Sequence, residues 1–269
     1  MKAYITLLSN EKYLPGVVVL HKSLRAVGAR YPLYCALTLS VSEKTERILV
    51  EQGITCIRLK RAVVDYLVNT SEKGTSHWNF TFDKLQIWGL TQFEKLVFLD
   101  CDMLIVRNLD NLFDCLPFSA VSADCSYPGN EGWAGGLNSG LMVIVPDEEV
   151  EKGLLASVAP VIAQSREQNT MVGDQDVIKY YLSDWGKRTN LHLDEGYNLF
   201  ADHLTYYIRH LGYRLTGDKG KPIYVIHFIG RSKPWMKKTL REYVWMCRMC
   251  LKNPYYVTAY RRFVKTLKS

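Results

Sequence analysis

No stretch of this chain approaches the 18 or so consecutive apolar residues that a membrane-crossing helix needs, so an integral membrane protein is not expected. The opening Met1-Lys2-Ala3-Tyr4-Ile5 runs straight into an expected strand and lacks the pattern of a secretory leader. The seven cysteines are odd in number and scattered. Cys247-Arg248-Met249-Cys250 has no second close pair to complete a zinc site, and it does not open a helix after a strand as a redox pair does. It reads as two faces of a tail helix. Cys35, Cys56 and Cys101 lie in apolar stretches, where cysteine acts as a small buried hydrophobe. A reducing cytoplasm is the simplest setting. Internal repeats and low-complexity tracts are missing as well. At 269 residues, 48% hydrophobic, the chain can build one large domain with a substantial core.

Acidic residues are scarce at one end. Residues 231–269 hold 11 Lys/Arg and a single acid, Glu242, whereas the preceding 230 hold 23 basic and 26 acidic side chains. Trp235, Tyr243, Trp245, Met246, Met249, Tyr255, Tyr256, Tyr260 and Phe263 interleave with those cations. Cations with aromatics on amphipathic segments favour an anionic membrane surface. A helix packed on the domain with its basic face solvated is the competing reading. Nucleic acid attracts the same charges but is not the expected partner. The expected division is a domain over residues 1–235 and a basic, aromatic, helical tail over 236–269.

The pattern alternates strands and helices, which predicts an α/β sheet. Strands are expected at Lys2–Ser9, Tyr31–Leu39, Cys56–Leu59, Leu96–Asp102, Leu141–Val145 and Tyr224–Ile229. Helices are expected at Leu14–Val27, from Ser42 to Gly53, and at Thr81–Leu90, Asp147–Gln164 and Asp174–Leu182. The Gly-, Pro-, Asn- and Trp-rich stretch from Ser122 to Asn138 reads as loop.

Asp100-Cys101-Asp102 follows the apolar run Leu96-Val97-Phe98-Leu99. Residues i and i+2 of a strand share a face, and ligands bind beyond the carboxyl ends of open α/β sheets. Two close carboxylates suppress each other's ionisation, and a divalent cation would relieve that conflict. A pair of ordinary strand-end acids is the alternative. Three later segments belong with the pair. Leu137-Asn138-Ser139-Gly140 puts an amide and a hydroxyl at a sheet edge, where a plain turn is the alternative. Gly173-Asp174-Gln175-Asp176 opens a helix, where Asp174 is either a cap or a polar group for a substrate. His227-Phe228-Ile229-Gly230-Arg231-Ser232-Lys233-Pro234-Trp235 ends the last strand. There an imidazole could join the carboxylates, Gly230 would let a diphosphate approach the backbone, and Lys233 would supply a point charge.

Leu7-Leu8-Ser9-Asn10 with Tyr13, then Asp83-Lys84-Leu85-Gln86-Ile87-Trp88, Phe98–Asp102, Leu137–Gly140, Gly173–Gln175 and His227–Trp235 fall in an order and spacing that resembles glycosyltransferase family 8, in its glycogenin and galactinol synthase-like branch. The resemblance covers about residues 2–236. It implies a single nucleotide-diphospho-sugar transferase domain (GT-A, Rossmann-like) with a mixed central sheet, a UDP-sugar donor, manganese, and retention of configuration. Carried across by position, Leu7, Ser9, Asn10 and Tyr13 would hold the uridine and Lys84 the donor. Asp100, Asp102 and His227 would bind the metal, with Cys101 and Ser139 in the donor-binding segments. Asn138, Asp174 and Gln175 would face the sugar, and Gly230 and Lys233 would grip the diphosphate. Asp174, Gln175 and Lys233 are the expected catalytic set.

The chain also departs from that branch. Asn69–Asp83 has no Arg, with only His77 as a substitute, and Thr205 stands where glycogenins carry their self-glucosylated Tyr, beside Tyr206 and Tyr207. The tail resembles the membrane-associating ends of bacterial members that extend lipid-linked sugars. The expectation is therefore a hexosyltransferase acting on a saccharide or lipid-linked acceptor, cytoplasmic and peripheral at the membrane, with self-association left open. Alternatives are a self-glycosylating primer protein and a sugar-nucleotide-forming nucleotidyltransferase. The latter usually has a Gly-rich basic loop, which Ser9–Pro15 lacks.

Overall fold

The computed structural model describes residues 1–64, 76–123, 126–129, 136–217, 219–230 and 232–269, with the backbone alone at 76–80. Part of the expected Ser122–Asn138 loop, Arg231 and the His77 side chain therefore lie outside the described residues. At the centre, β1 (Lys2–Leu8) pairs in parallel with β2 (Leu33–Leu37) on one side and β4 (Lys95–Leu99) on the other, and β3 (Thr55–Arg58) extends the sheet beyond β2. Helices α1 (Leu14–Ala26) and α2 (Glu43–Glu51) make the crossovers, and the Ser42 hydroxyl caps α2 by accepting from the Thr45 amide.

After β4 come β5 (Met103–Ile105), β6 (Ala120–Ser122) and β7 (Leu137–Ile144), then α3 (Glu148–Glu167), α4 (Asp174–Tyr181) and β8 (His192–Leu193). Strand β7 runs antiparallel to β4, giving the mixed order β3-β2-β1-β4-β7-β6-β8. Apolar side chains leave both faces of the central strands. Leu96 and Phe98 join Met142, Ile144 and the buried α3 and α4 residues Leu154, Ile162 and Val177. Val97 and Leu99 join Leu141, Val143 and Leu20 of α1. Burial on both faces is why the run reads as continuous rather than alternating.

The remaining elements are β9 (Leu199–Phe200), α5 (Leu204–His210), β10 (Tyr213–Arg214), β11 (Lys221–Pro222), β12 (Val225–His227), α6 (Leu240–Lys252) and α7 (Pro254–Lys268). Strand β12 sits between β5 and β9 in a second, three-stranded sheet. The tail divides into two unlike helices. In α7, Tyr256, Ala259 and Phe263 are buried among Val19, Leu204, Tyr207 and Phe228. Its cap, Asn253, accepts from the Thr205 amide (3.1 Å) and donates to the carbonyls of Ala201 (3.0 Å) and Asp202 (2.7 Å). By contrast, α6 buries no residue.

Two local expectations need correction. The segment expected as an α-helix over Thr81–Leu90 is a succession of 3-10 turns, Ser76–Gly89. Its polar side chains are used at long range: Asp83 accepts from the Val63 amide (2.7 Å) and Gln86 donates to the Arg61 carbonyl (2.9 Å). Tertiary bonds thus override helix propensity. In addition, β4 stops at Leu99, so Asp100 and Asp102 lie in the turn toward β5 rather than on one face of a strand.

Candidate active site

The turn Asp100-Cys101-Asp102 meets β12 from the second sheet. Strand β12 runs antiparallel to β5 with His227 opposite Met103, and the Phe228 amide donates to the Asp102 carbonyl at 3.0 Å. This pairing, not strand alternation, carries the imidazole to the carboxylates. His227 Nε2 lies 3.0 Å from Asp102 Oδ1 and 3.8 Å from Asp100 Oδ2. One ligand atom from each of the three residues falls within 4.8 Å of the others. Two carboxylates and one imidazole are a donor set that suits a divalent metal ion, so these residues fit one.

Two buried lysines hold the outer oxygens. Lys84 Nζ is 3.2 Å from Asp100 Oδ1 and 2.7 Å from Asp174 Oδ2, and Lys233 Nζ is 2.6 Å from Asp102 Oδ2. Burial pushes the Asp100 carboxyl up against the pull of Lys84 and His227. At Asp102 burial also pushes upward, but Lys233 and His227 outweigh it and hold the group well below the usual carboxylate range. Burial disfavours the charge on both lysines. Asp100 and Asp174 nevertheless raise Lys84, and Asp102 raises Lys233, so both stay cationic. Before His227 is counted, three carboxylates against two ammoniums leave one negative charge in excess. A divalent ion reverses that sign, which then favours an anionic ligand such as a diphosphate.

Most of the expected residues come together here. Asp174 is not the helix cap: Gly173 holds that position, and Asp176 accepts from the Gly173 amide at 2.8 Å. Its carboxylate is thereby released to Lys84. The Gln175 side-chain oxygen Oε1 accepts from the Ser139 backbone amide (3.2 Å), and Lys84 donates to the Ser139 backbone carbonyl (3.3 Å). Asn138 Oδ1 accepts from Asn198 (2.9 Å), which in turn meets His227 Nδ1 (2.9 Å). Tyr13 flanks Lys233, with the ammonium 5.7 Å from its ring centre. Gly230 follows β12 at φ 83°, a conformation that favours glycine.

The remaining expected residues have these partners within the chain. The Ser9 carbonyl accepts from the Ser40 hydroxyl (3.0 Å), and the Asn10 side chain accepts from the Lys12 amide (3.0 Å), capping the next turn. Leu7 packs in the core with Ile5 and Ala36. Cys101 packs against the Leu8, Val17 and Leu37 cluster, where burial raises its thiol far above the ordinary value and leaves it inert.

Two features were unassigned in the sequence. A Cβ on Gly140 would stand 3.0 Å from His227 Cε1 and 3.1 Å from Asp100 Oδ2, so a bare backbone is needed where β7 passes the carboxylates. Asn198 bridges His227 to Asn138 from β9's approach, and nothing in its local sequence signals that.

The architecture is that of the GT-A glycosyltransferases. The galactosyltransferase LgtC, solved with donor and acceptor sugar analogues, superposes with a TM-score of 0.66 at 14% identity, covering 100% of this chain and 95% of LgtC. The glycosyltransferase GlyE of Streptococcus pneumoniae TIGR4 gives 0.57 at 17% identity, covering 98% and 63%. A family model for glycosyl transferase family 8 matches residues 4–239, and the chain belongs to that family. Glycogenin-1 of Caenorhabditis elegans is 32% identical over 241 residues, 87% of this chain and 51% of that protein. Human glycogenin-1 is 29% identical over 246 residues, 87% and 62%. This chain therefore spans about half to two-thirds of the length of these curated relatives. Galactinol synthase 1 of Arabidopsis thaliana is 38% identical over 114 residues, 42% of this chain and 33% of that protein.

Proposed function

We propose that this chain is a retaining, metal-dependent hexosyltransferase that moves a sugar from a UDP-sugar to a saccharide or lipid-linked acceptor. The observation that carries the reading is the convergence of Asp100, Asp102 and His227 between two buried ammoniums. Asp100, Asp102 and His227 would hold manganese, which when bound supplies positive charge for the diphosphate of the donor and of the departing UDP. Lys233 stays cationic beside that position and stabilises the same developing charge. Gly230 leaves room for the diphosphate, while Leu7, Ser9, Asn10 and Tyr13, at and just beyond the end of β1, would receive the uridine. Asp174, Gln175 and Asn138 would fix the sugar. Asp174→Asn should therefore lower turnover far more than UDP affinity.

A transfer to Thr205 or Tyr207 of the chain itself is disfavoured. The Thr205 hydroxyl is buried against Asn253, and the Tyr207 hydroxyl is bound to Glu195. The relatives' names include a UDP-glucuronate:xylan glucuronosyltransferase and an inositol phosphorylceramide glucuronosyltransferase, so both saccharide and lipid acceptors have precedent in related chains. Among the described residues no helix is long and apolar enough to cross a membrane. We place the enzyme at the cytoplasmic membrane face, attached peripherally through α6. Leu240, Tyr243, Val244, Trp245 and Leu251 of that helix are all exposed large apolar side chains.

A panel of UDP-sugars tested for manganese-dependent hydrolysis and for transfer to oligosaccharide and glycolipid acceptors tests the proposal. One donor should be hydrolysed with manganese and spared with EDTA. Hydrolysis of none, or equal rates with EDTA, would overturn it.

A further inference from the structure

The backbone N–H of Gly140 can only donate, and it lies 2.9 Å from the Asn138 side chain, so the atom it meets is the amide oxygen. Asn198 approaches that same oxygen at 2.9 Å and must present its NH2 group. The Asn198 amide oxygen is then the atom 2.9 Å from His227 Nδ1, and this contact is a hydrogen bond only when Nδ1 carries a proton. A neutral imidazole protonated at Nδ1 keeps its lone pair on Nε2, the nitrogen turned toward Asp102 and Asp100. One obligatory backbone donor thus fixes two amide orientations and a proton on His227 Nδ1, which leaves Nε2 as the nitrogen that can meet a cation.

Asn198 itself has little freedom. It is buried, and its backbone N–H donates to the Glu195 carbonyl at 3.0 Å. The preceding Tyr197 ring stacks on Tyr224 with centroids 4.1 Å apart and planes within 5°. The amide is held by packing that does not depend on any ligand, so it acts as a fixed reference for the two side chains it touches.

We infer that Asn198 is a positioning residue with two outputs, resting on the reading that Asp100, Asp102 and His227 hold a divalent cation. Through its oxygen it keeps the His227 Nε2 lone pair directed at the cation position. Through its NH2 group, together with Gly140, it saturates the Asn138 oxygen. Asn138 is left with its own NH2 group for a ligand, so it selects an acceptor atom such as a sugar hydroxyl oxygen. The metal ligand and the sugar-facing amide therefore take their polarity from one side chain.

The two outputs can be separated. Asn198→Asp is nearly isosteric and keeps an oxygen for His227, but it cannot donate to Asn138. Asn198→Ala loses both bonds. Full-length proteins would be compared by manganese affinity without UDP-sugar, read from the electron paramagnetic resonance signal of free Mn2+. Turnover of the donor hydrolysed by wild type and thermal melting in EDTA complete the set. Asn198→Ala should bind manganese about 10- to 100-fold more weakly, the usual effect of removing a partner behind a metal ligand. Asn198→Asp should bind manganese as tightly as wild type or more tightly, yet lose roughly tenfold or more in kcat, as expected when a positioning contact is lost. Equal manganese affinity in wild type and Asn198→Ala would overturn the inference, and so would a loss of manganese affinity in Asn198→Asp. If Asn198→Ala does not fold, the split within Asn198→Asp alone decides. Failure of wild type to bind manganese would instead overturn the metal reading beneath it.

Discussion

The Trp235 indole lies against the Phe263 ring of α7, with centroids 5.3 Å apart and planes 21° from parallel. Trp235 Nε1 also donates to the Lys12 carbonyl at 2.7 Å, and the Tyr260 hydroxyl donates to the Pro234 carbonyl at 3.2 Å. The loop that presents Lys233 is thus clamped between the 3-10 turn Glu11–Tyr13 and the last helix. The family match ends at residue 239, yet the core continues to Phe263, which is fully buried. Phe263→Ala should cost about 3–5 kcal/mol of stability in urea unfolding. UDP binding by the folded fraction, measured calorimetrically, should weaken as the Lys233 loop loosens. Unchanged stability would mean that α7 is an appendage after all.

Gly140 offers a test of the site that leaves every charged group in place. An added methyl would press on His227 and on the Asp100 oxygen turned toward it. Backbone φ at Gly140 is not in the left-handed region, so the crowding acts on the site and not on the strand. Gly140→Ala is expected to melt close to wild type but to lose about tenfold or more in manganese affinity, as when ligand placement is disturbed. A titration of manganese-dependent UDP binding measures it. Wild-type affinity would show that the carboxylates can move apart without consequence.

Two neighbouring groups give the stability a defined pH signature. Burial raises Asp202 to about 6, and burial lowers His203 to about 4. For Asp202 the folded value lies above the unfolded one, so its charge costs stability above pH 6, and the cost fades as pH falls toward 4. For His203 the folded value lies below the unfolded one, so stability is lost as pH falls through 6.5 toward 4. The two slopes oppose each other between pH 4 and 6. Asp202→Asn should stabilise the protein by about 1–3 kcal/mol at pH 7.5. That advantage should shrink steadily on acidification and vanish near pH 4. Urea unfolding of both proteins across this range measures the difference, and a constant offset would refute the assignment.

The chemistry-bearing residues were legible in sequence because they sit in short, compositionally distinctive segments. Asp100 and Asp102 follow β4, His227 ends β12 with Lys233 in the loop beyond it, and Asp174 opens α4. The fold gathers such ends on one side of the sheet, and Lys84 joins them from within the 3-10 stretch Ser76–Gly89. What the sequence could not reveal were long-range relations. Asn198 is an ordinary polar residue until β9 is paired beside β12. The carboxylates were expected to converge by strand alternation, but the partner strand brings His227 to them across a turn. The cation-rich tail looked uniform because composition does not distinguish buried rings such as Tyr256 and Phe263 from exposed ones such as Tyr243 and Trp245.

That distinction defines the membrane test. In α6, Leu240, Val244, Cys247 and Leu251 recur at i, i+4, i+7 and i+11, so they form one stripe along the helix. Leu240 is 81% exposed and Leu251 86%, and Cys247 is exposed as well. Lys237, Arg241, Arg248 and Lys252 are exposed around the stripe. Pairing two copies through it would bring like charges together, whereas an anionic lipid surface attracts them. Each cation near such a surface contributes about 1 kcal/mol at modest ionic strength. Tyr243 and Trp245 suit the headgroup layer. Full-length protein should therefore sediment with phosphatidylserine or phosphatidylglycerol vesicles at low salt, and added salt should release it. The double variant Val244→Asp, Leu251→Asp should stay in the supernatant while melting at the wild-type temperature and hydrolysing donor at the wild-type rate, because neither residue touches the core or the site. Failure of the wild-type protein to bind at low salt would leave a soluble saccharide as the acceptor class. Equal binding by the double variant would move the contact from α6 to the basic outer face of α7.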